Sequence, residues 1–247
     1  MKFILRTTVL GAALILLAAS RASAQSGAGD WQFAVAPYLW AAGMNGTMAI
    51  ADFEEDIDVP FSTIIDNLDL AFMGHFDMRN ERWVVMSDLI FVDLEDRQER
   101  ALGTLTAGLD LTLLEVAGGY RLSQVVSILA GLRWVDTGAS LRYAGEIFDD
   151  GADAGTSWID PLVGVQVLTP LAERWWVSFS GDIGGFGVGT DLTWQAYANI
   201  GFKASDLVSI IVGYRAIDID YEDDSRAQPV ALDVLLSGPQ VGVAFVF

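Results

Sequence analysis

Apolar residues recur at every second position along most of the chain, which is the period of a strand with one face in apolar surroundings. In WQFAVAPYLWAA, Trp31, Phe33, Val35, Pro37 and Leu39 share a face. In LDLAFMGHFDMR, Leu68, Leu70, Phe72, Phe76 and Met78 share one face, and Asp69, Ala71, Met73, His75, Asp77 and Arg79 the other. LTWQAYANIGFK sets Leu192, Trp194, Ala196, Ala198, Ile200 and Phe202 against Thr193, Gln195, Tyr197, Asn199, Gly201 and Lys203. SGPQVGVAFVF repeats the pattern to its last residue, with Val241, Val243, Phe245 and Phe247 on one side. Strands are predicted over 31–42, 68–79, 83–95, 104–120, 125–143, 157–170, 175–184, 192–203, 207–221 and 230–247.

The connections come in two kinds. RNER (79–82), RLSQ (121–124), LAER (171–174) and KASD (203–206) are polar and turn-sized. The stretches 43–67, 95–103, 144–156, 185–191 and 222–230 are longer and acidic or glycine-rich. Trp83, Tyr120, Trp175 and Phe202 lie beside the short turns, and Trp158, Trp194 and Tyr214 lie further along. Rings favour the headgroup level, so two aromatic belts are expected. Together these features predict an all-β chain: a closed antiparallel transmembrane β-barrel with short periplasmic turns and longer acidic extracellular loops. Ten strands are expected, or twelve if 43–67 adds two. That segment reads as a first loop or hairpin that covers or plugs the lumen, with FSTIIDNL as a short helix N-capped by Ser62. A closed sheet also gives the final strand a partner, the first one, and puts Phe247 at the periplasmic interface.

One strand breaks the alternation. Leu105, Ala107, Leu109 and Leu111 share a face, whereas Leu114, Val116 and Tyr120 read as outward beyond them. A β-bulge near Leu113 and Leu114 reconciles the halves. Otherwise Glu115 meets lipid, at a cost of roughly 2–4 kcal/mol near the midplane, somewhat less for an acid.

Composition sharpens this picture. The 247 residues are 52% hydrophobic, yet the formal net charge is −19. Lys2 and Arg6, the apolar run Val9 to Ala19 and the Ala22-Ser23-Ala24 site mark residues 1–24 as a secretory signal peptide, cleaved near Ala24. Residues 25–247 form the barrel. Removing the signal takes Lys2, Arg6 and Arg21 with it, so the remainder is more acidic still. That charge argues against nucleic acid and anionic lipid patches as partners. There are no cysteines, hence neither a disulfide nor a lipobox. No apolar run after the signal is long enough for a spanning helix.

With the outward parity fixed, the inward residues can be ranked by height. Arg133, Asp160, Asp182, Gln195 and Arg215 fall into an ionic layer near mid-membrane, and His75, Asp88 and Glu115 into a lower one. Charges inside a small barrel must pair, since an unpaired one costs several kcal/mol. Gly74, Gly131, Gly164, Gly184, Gly201, Gly213 and Gly242 are assigned inward, as relief where Trp176 and Tyr197 intrude. GDIGGFGVG lacks the helix and the Lys-Ser/Thr of a phosphate loop. His75 and Asp77 share a face, the arrangement that a surface hydrolase uses to activate water. The acidic runs at 52–58, 149–153 and 218–224 make divalent cations candidate partners, though without EF-hand spacing. No cofactor or metal site is predicted.

APYLWAAGMNG, NLDLAFMGHF, AGLRW, WIDPLVG, GDIGGFGVGTDLTWQ and VGYR together resemble a group of small proteobacterial outer-membrane β-barrels. The C-terminal strand, with Phe245 and Phe247, resembles the assembly signal of Gram-negative outer-membrane proteins. The resemblance implies insertion by the barrel-assembly machinery into the outer membrane, among lipids and lipopolysaccharide. It brings no reaction with it. The expected function is therefore non-enzymatic, structural or envelope-maintaining, with an ionic lumen filled by side chains. The alternatives are a narrow channel or binding protein for a small polar or cationic solute, and a surface hydrolase using His75.

Overall fold

A computed structural model describes residues 31–50, 53–100, 103–145, 149–223 and 230–247. The signal segment and its cleavage site lie outside the described residues, as do Asp52 and Asp224 of the acidic runs. The described elements are β1 (Gln32–Trp40), β2 (Gly43–Ile50), β3 (Phe53–Val59), α1 (Phe61–Asp66), β4 (Leu68–Arg79), β5 (Trp83–Arg100), β6 (Gly103–Arg121), β7 (Val126–Gly145), β8 (Asp149–Pro170), β9 (Trp175–Gly185), β10 (Leu192–Lys203), β11 (Val208–Asp223) and β12 (Val230–Val246).

Each strand from β4 to β12 pairs antiparallel with the next, and β1 pairs with both β4 and β12. Ten strands thus close into a ring. The seam runs from Ala34 opposite Val246 to Trp40 opposite Gln240. Phe247 finishes it, exchanging backbone hydrogen bonds of 2.8 and 3.1 Å with Phe33. At the level of β1 the ring is closed, so the backbone polar groups of the paired stretches are satisfied without water.

The other two strands extend the wall. β12 pairs with β1 near its end and with β2 from Ser237 to Val230, so β1 and β2 follow one another along the same partner. The break falls at Ala41 and Ala42, where the Ala41 N–H donates to the Pro239 carbonyl at 2.8 Å. Gly238 permits this approach, because a Cβ there would overlap the Ala41 carbonyl. β3 folds back on β2, and α1 leads down to β4. Pro60 stands at the N-cap of α1 and no side chain caps it. Ser62 therefore lies inside the helix; Pro60 ends the extended approach with its fixed φ, so the helix begins two residues early.

Outward residues form an apolar band. Ile128, Leu132, Val163, Phe179, Ile200 and Val212 are all exposed. Trp83 meets Tyr120 edge-on at 5.4 Å, and Trp175 meets Phe202 at 4.9 Å, both beside short turns. Trp134, Trp194 and Tyr214 also face out, well above the short turns and beside the inward Arg133, Gln195 and Arg215. Trp158 does not join them: it points inward, 7% exposed, stacked on Tyr221 at 4.4 Å. Gly74 lies on the outer face, under the ring of Phe72.

The bulge expected at Leu113 and Leu114 is absent. β6 keeps an unbroken register with β5 and β7. Leu111, Leu113, Glu115 and Ala117 all face inward, because the upper interior is itself apolar. Strands also run through most of the stretches read as loops, including 53–58, 149–153 and 218–223.

Glycine makes room inside as well. A Cβ at Gly201 would overlap the indole of Trp176, which lies across it. Gly201→Leu is expected to evict that ring and cost about 1–3 kcal/mol as overpacking, read as a lower urea midpoint in lipid bilayers.

Candidate functional site

The interior holds one connected polar network at mid-height. The Arg133 guanidinium is fully buried. Its Nη2 donates to Glu115 Oε2 at 2.8 Å and Asp182 Oδ1 at 2.6 Å, and its Nη1 donates to Thr193 Oγ1 at 3.2 Å. Gln195 bridges this cluster to a second one. Its Nε2 donates to Glu115 Oε2 at 3.2 Å and Asp182 Oδ2 at 3.0 Å, while its Oε1 accepts from Arg215 Nε at 2.9 Å and from Arg215 Nη2. Arg215 Nη1 donates to Asp88 Oδ1 at 2.8 Å and to the Tyr38 hydroxyl at 2.6 Å. Tyr38 in turn donates to Asp88 Oδ1, and His75 Nδ1 lies 3.1 Å from Asp88 Oδ2. The Arg215 guanidinium also sits 5.3 Å over the Trp40 ring and 5.7 Å from Tyr197. A wholly neutral amide thus couples two ionic clusters, and its orientation is fixed by needing N–H toward carboxylates and C=O toward a guanidinium.

Above the network lies an apolar plug. Trp40, Met73, Ile90, Leu113, Val135, Trp158, Ile217, Ile219, Tyr221, Val234 and Leu236 form one buried cluster. Met44 and Ile57 of the β2–β3 hairpin pack against it. Below the network, Val84, Met86, Ala117, Leu129 and Leu162 fill the β5–β8 side, with Tyr197 against them. The opposite side stays open as a chamber of about 450 Å³. Tyr38, His75, Asp88 and Arg215 line its inner end, and Arg79 and Lys203 its mouth at the short turns.

The two expected layers are therefore a single network. Glu115 bonds directly to Arg133, its cross-strand neighbour, and Asp88 to Arg215. Asp160 stands apart from it. Its carboxylate accepts from Trp158 Nε1 at 3.1 Å and from the Thr190 amide at 2.7 Å, so it fastens the β9–β10 loop. His75 turns to Asp88 rather than Asp77, because Asp77 is held in a bidentate pair with Arg79 at 2.6 and 2.5 Å. Phe245 and Phe247 lie on the outer face of the seam. Tyr38, Trp40 and Thr193 were not singled out by sequence, although each shares the inward parity of its strand.

On the outer surface beyond the girdle, Asp220 and Asp233 face each other across β11 and β12. Partial burial, then the charges of Asp233 and Asp191, raises the Asp220 carboxyl above its ordinary value. A carboxyl with a raised folded-state pKa binds protons more readily folded than unfolded. Its stability contribution therefore grows as pH falls through that raised value. Asp233→Asn is expected to flatten this dependence, measured as the urea midpoint against pH.

A closed antiparallel ring with an apolar outer band, aromatic pairs beside the short turns and alternating short turns and tall hairpins is the architecture of an outer-membrane β-barrel. No protein-family model and no curated protein matches the chain. Solved structures resemble it in strand architecture. The translocator domain of the autotransporter NalP from Neisseria meningitidis is 12% identical over 97% of each chain, with a TM-score of 0.41. Ail, the attachment invasion locus protein of Yersinia pestis, is 11% identical over 90% of this chain and 100% of that one, with a TM-score of 0.35. A Pseudomonas aeruginosa FadL homologue is 7% identical over 88% of this chain and 90% of that one, with a TM-score of 0.34.

Proposed function

We propose that the protein is a sealed, non-enzymatic barrel of the Gram-negative outer membrane with a structural or envelope-maintaining role. The observation that carries this reading is the filled lumen: the Arg133–Gln195–Arg215 network crosses it, and the Trp40 cluster lies directly above. Ions would have to displace paired charges and then an apolar plug, so no aqueous path is expected. Planar-bilayer recording of the purified barrel tests this. Silence across a range of voltages is the expected result, and discrete conductance steps would contradict it. The partners that go with this reading are outer-leaflet lipopolysaccharide, met by acidic strand ends through divalent cations, and the barrel-assembly machinery acting on Phe245 and Phe247.

A second reading is favoured by the chamber at the short-turn end. A cleft of about 450 Å³ with His75, Gln166, Asn199, Ser209 and Gln240 along it is within the range of small-molecule sites. It would receive a small polar solute from the periplasm without passing it on. A hydrolytic role has less support, because the Asp77 carboxylate beside His75 is already committed to Arg79. His75→Ala is expected to leave lipid A profiles and peptide cleavage unchanged; a loss of either would revive that role.

A further inference from the structure

The β9–β10 loop (186–191) joins two of the shorter strands of the ring, and two of its apolar side chains are exposed. Phe186 is 52% exposed and Val188 72% exposed. Phe186 also sits at φ 52°, the one non-glycine residue at positive φ among those described. A bulky side chain adopts that region only where its surroundings hold it there.

The surroundings do hold it. Val188 N–H donates to the Gly185 carbonyl and Gly187 N–H to the Thr190 carbonyl, each at 3.0 Å. Gly185 and Gly187 take φ of 87° and 71° on either side of Phe186. The Thr190 amide is fixed on the buried Asp160 carboxylate, and the Asp191 amide on the Asp220 carbonyl at 3.0 Å. Gly189 lies so close to Asp160 and Trp158 that no Cβ fits. One flank of the loop thus roofs the lumen, and the other presents phenyl and isopropyl groups outward.

The height of the loop identifies what they meet. β9 has 11 residues and begins at Trp175, in the girdle beside the short turns. At a rise of about 3.3 Å per residue and a tilt near 40°, such a strand climbs roughly 28 Å, close to the ~25 Å of an apolar band. The loop therefore starts where the band ends, level with the outer leaflet's headgroups. Ile183, on β9, is exposed on the lipid face, so the apolar surface runs into the loop along β9; on the β10 side Leu192 stands opposite Asp220, where the outer surface turns acidic.

We propose that this loop is a lipid anchor: Phe186 and Val188 insert into the outer leaflet, while Asp160 and Thr190 hold the opposite flank to the barrel. The inference rests on the outer-membrane reading above. It commits to lipid as the occupant, since interfacial rings and aliphatic groups favour that depth and the β9 flank, at Ile183, already faces lipid. A rigid, pinned loop suits this role, because no ordering remains to be done when the groups enter the bilayer.

The absence of cysteine from the chain makes the test direct. Phe186→Cys, Val188→Cys, Ile183→Cys and Ser205→Cys are spin-labelled one at a time in the mature chain and reconstituted into phospholipid bilayers. Collisions with oxygen, which concentrates in lipid, are compared with those of a water-soluble nickel chelate. The Ile183 label reports the band and the Ser205 label a periplasmic turn. The anchor predicts an oxygen-to-nickel ratio at Phe186 and Val188 severalfold above that of Ser205 and below that of Ile183. Ratios at both loop sites equal to Ser205, with Ile183 in lipid, overturn the anchor, and so would immobilised labels shielded from both reagents. If Ile183 also reads water, the membrane reading itself fails. The Val188 site keeps the test decisive should the label at Phe186 disturb its backbone.

Discussion

Arg133→Met is expected to lower the stability of the barrel by about 3–5 kcal/mol, the cost of leaving buried charges without their partner. Arg133 donates to both Glu115 and Asp182, whose side chains are each 4% exposed. Without it, two carboxylates face each other with only the Gln195 amide between them. Replacing all three groups, with Glu115→Gln and Asp182→Asn added to Arg133→Met, should recover most of the loss, since no charge is then stranded. Urea unfolding in lipid bilayers measures both steps. An unchanged midpoint for the single variant would mean that the network is wet and screened.

The second large effect is expected at Trp158. Trp158→Ala removes a stack on Tyr221 and leaves a void in the plug, at a cost of about 3–5 kcal/mol by the precedent of aromatic truncations in cores. It also takes a donor from Asp160, which is fully buried and retains the Thr190 amide. Trp158→Phe separates these contributions: it keeps much of the packing and loses only the N–H, so a drop of about 1–3 kcal/mol is expected. Were the phenylalanine variant as damaged as the alanine one, the hydrogen bond rather than the packing would dominate. Because Asp160 fastens the β9–β10 loop, labels at Phe186 should become more mobile in both variants.

The barrel itself was legible from period-two alternation and from the two kinds of connection. Most of the predicted strand limits agree with those observed to within a few residues. β5 and β8 run further because an acidic strand end looks like a loop when charge alone is weighed. The misassigned interior has one cause. The rule that apolar residues face lipid fails here, because the upper lumen is apolar too. Under that rule Leu105 to Leu113 call for a bulge and Trp158 for a place in a girdle, and neither is found. The run after Arg215 held the corrective signal. Ile217, Ile219 and Tyr221 share the parity of Arg215, while Asp218 and Asp220 take the other face. Strict alternation from a buried arginine thus points three apolar side chains inward.

Pairing inside the lumen was legible as a need and not as a set of partners. Height along a strand gave the approximate level of Arg133, Asp182, Gln195 and Arg215. It could not give Glu115 to Arg133, because that contact depends on the register between β6 and β7. Nor could it place Tyr38, whose hydroxyl reaches past β12 to Arg215 from the first strand. The blind chamber is a property of unequal filling around the ring, with the β5–β8 side packed and the other side open, and no single segment encodes it.

The central claim is that the lumen is closed at mid-height and open only toward the short turns. Ser178→Cys, in the wall of the chamber, tests it most directly in this cysteine-free chain. A membrane-impermeant thiol reagent is applied to either face of oriented proteoliposomes. Rapid labelling from the short-turn face and none from the other is the predicted result. Equal labelling from both faces would show a continuous path and contradict the account.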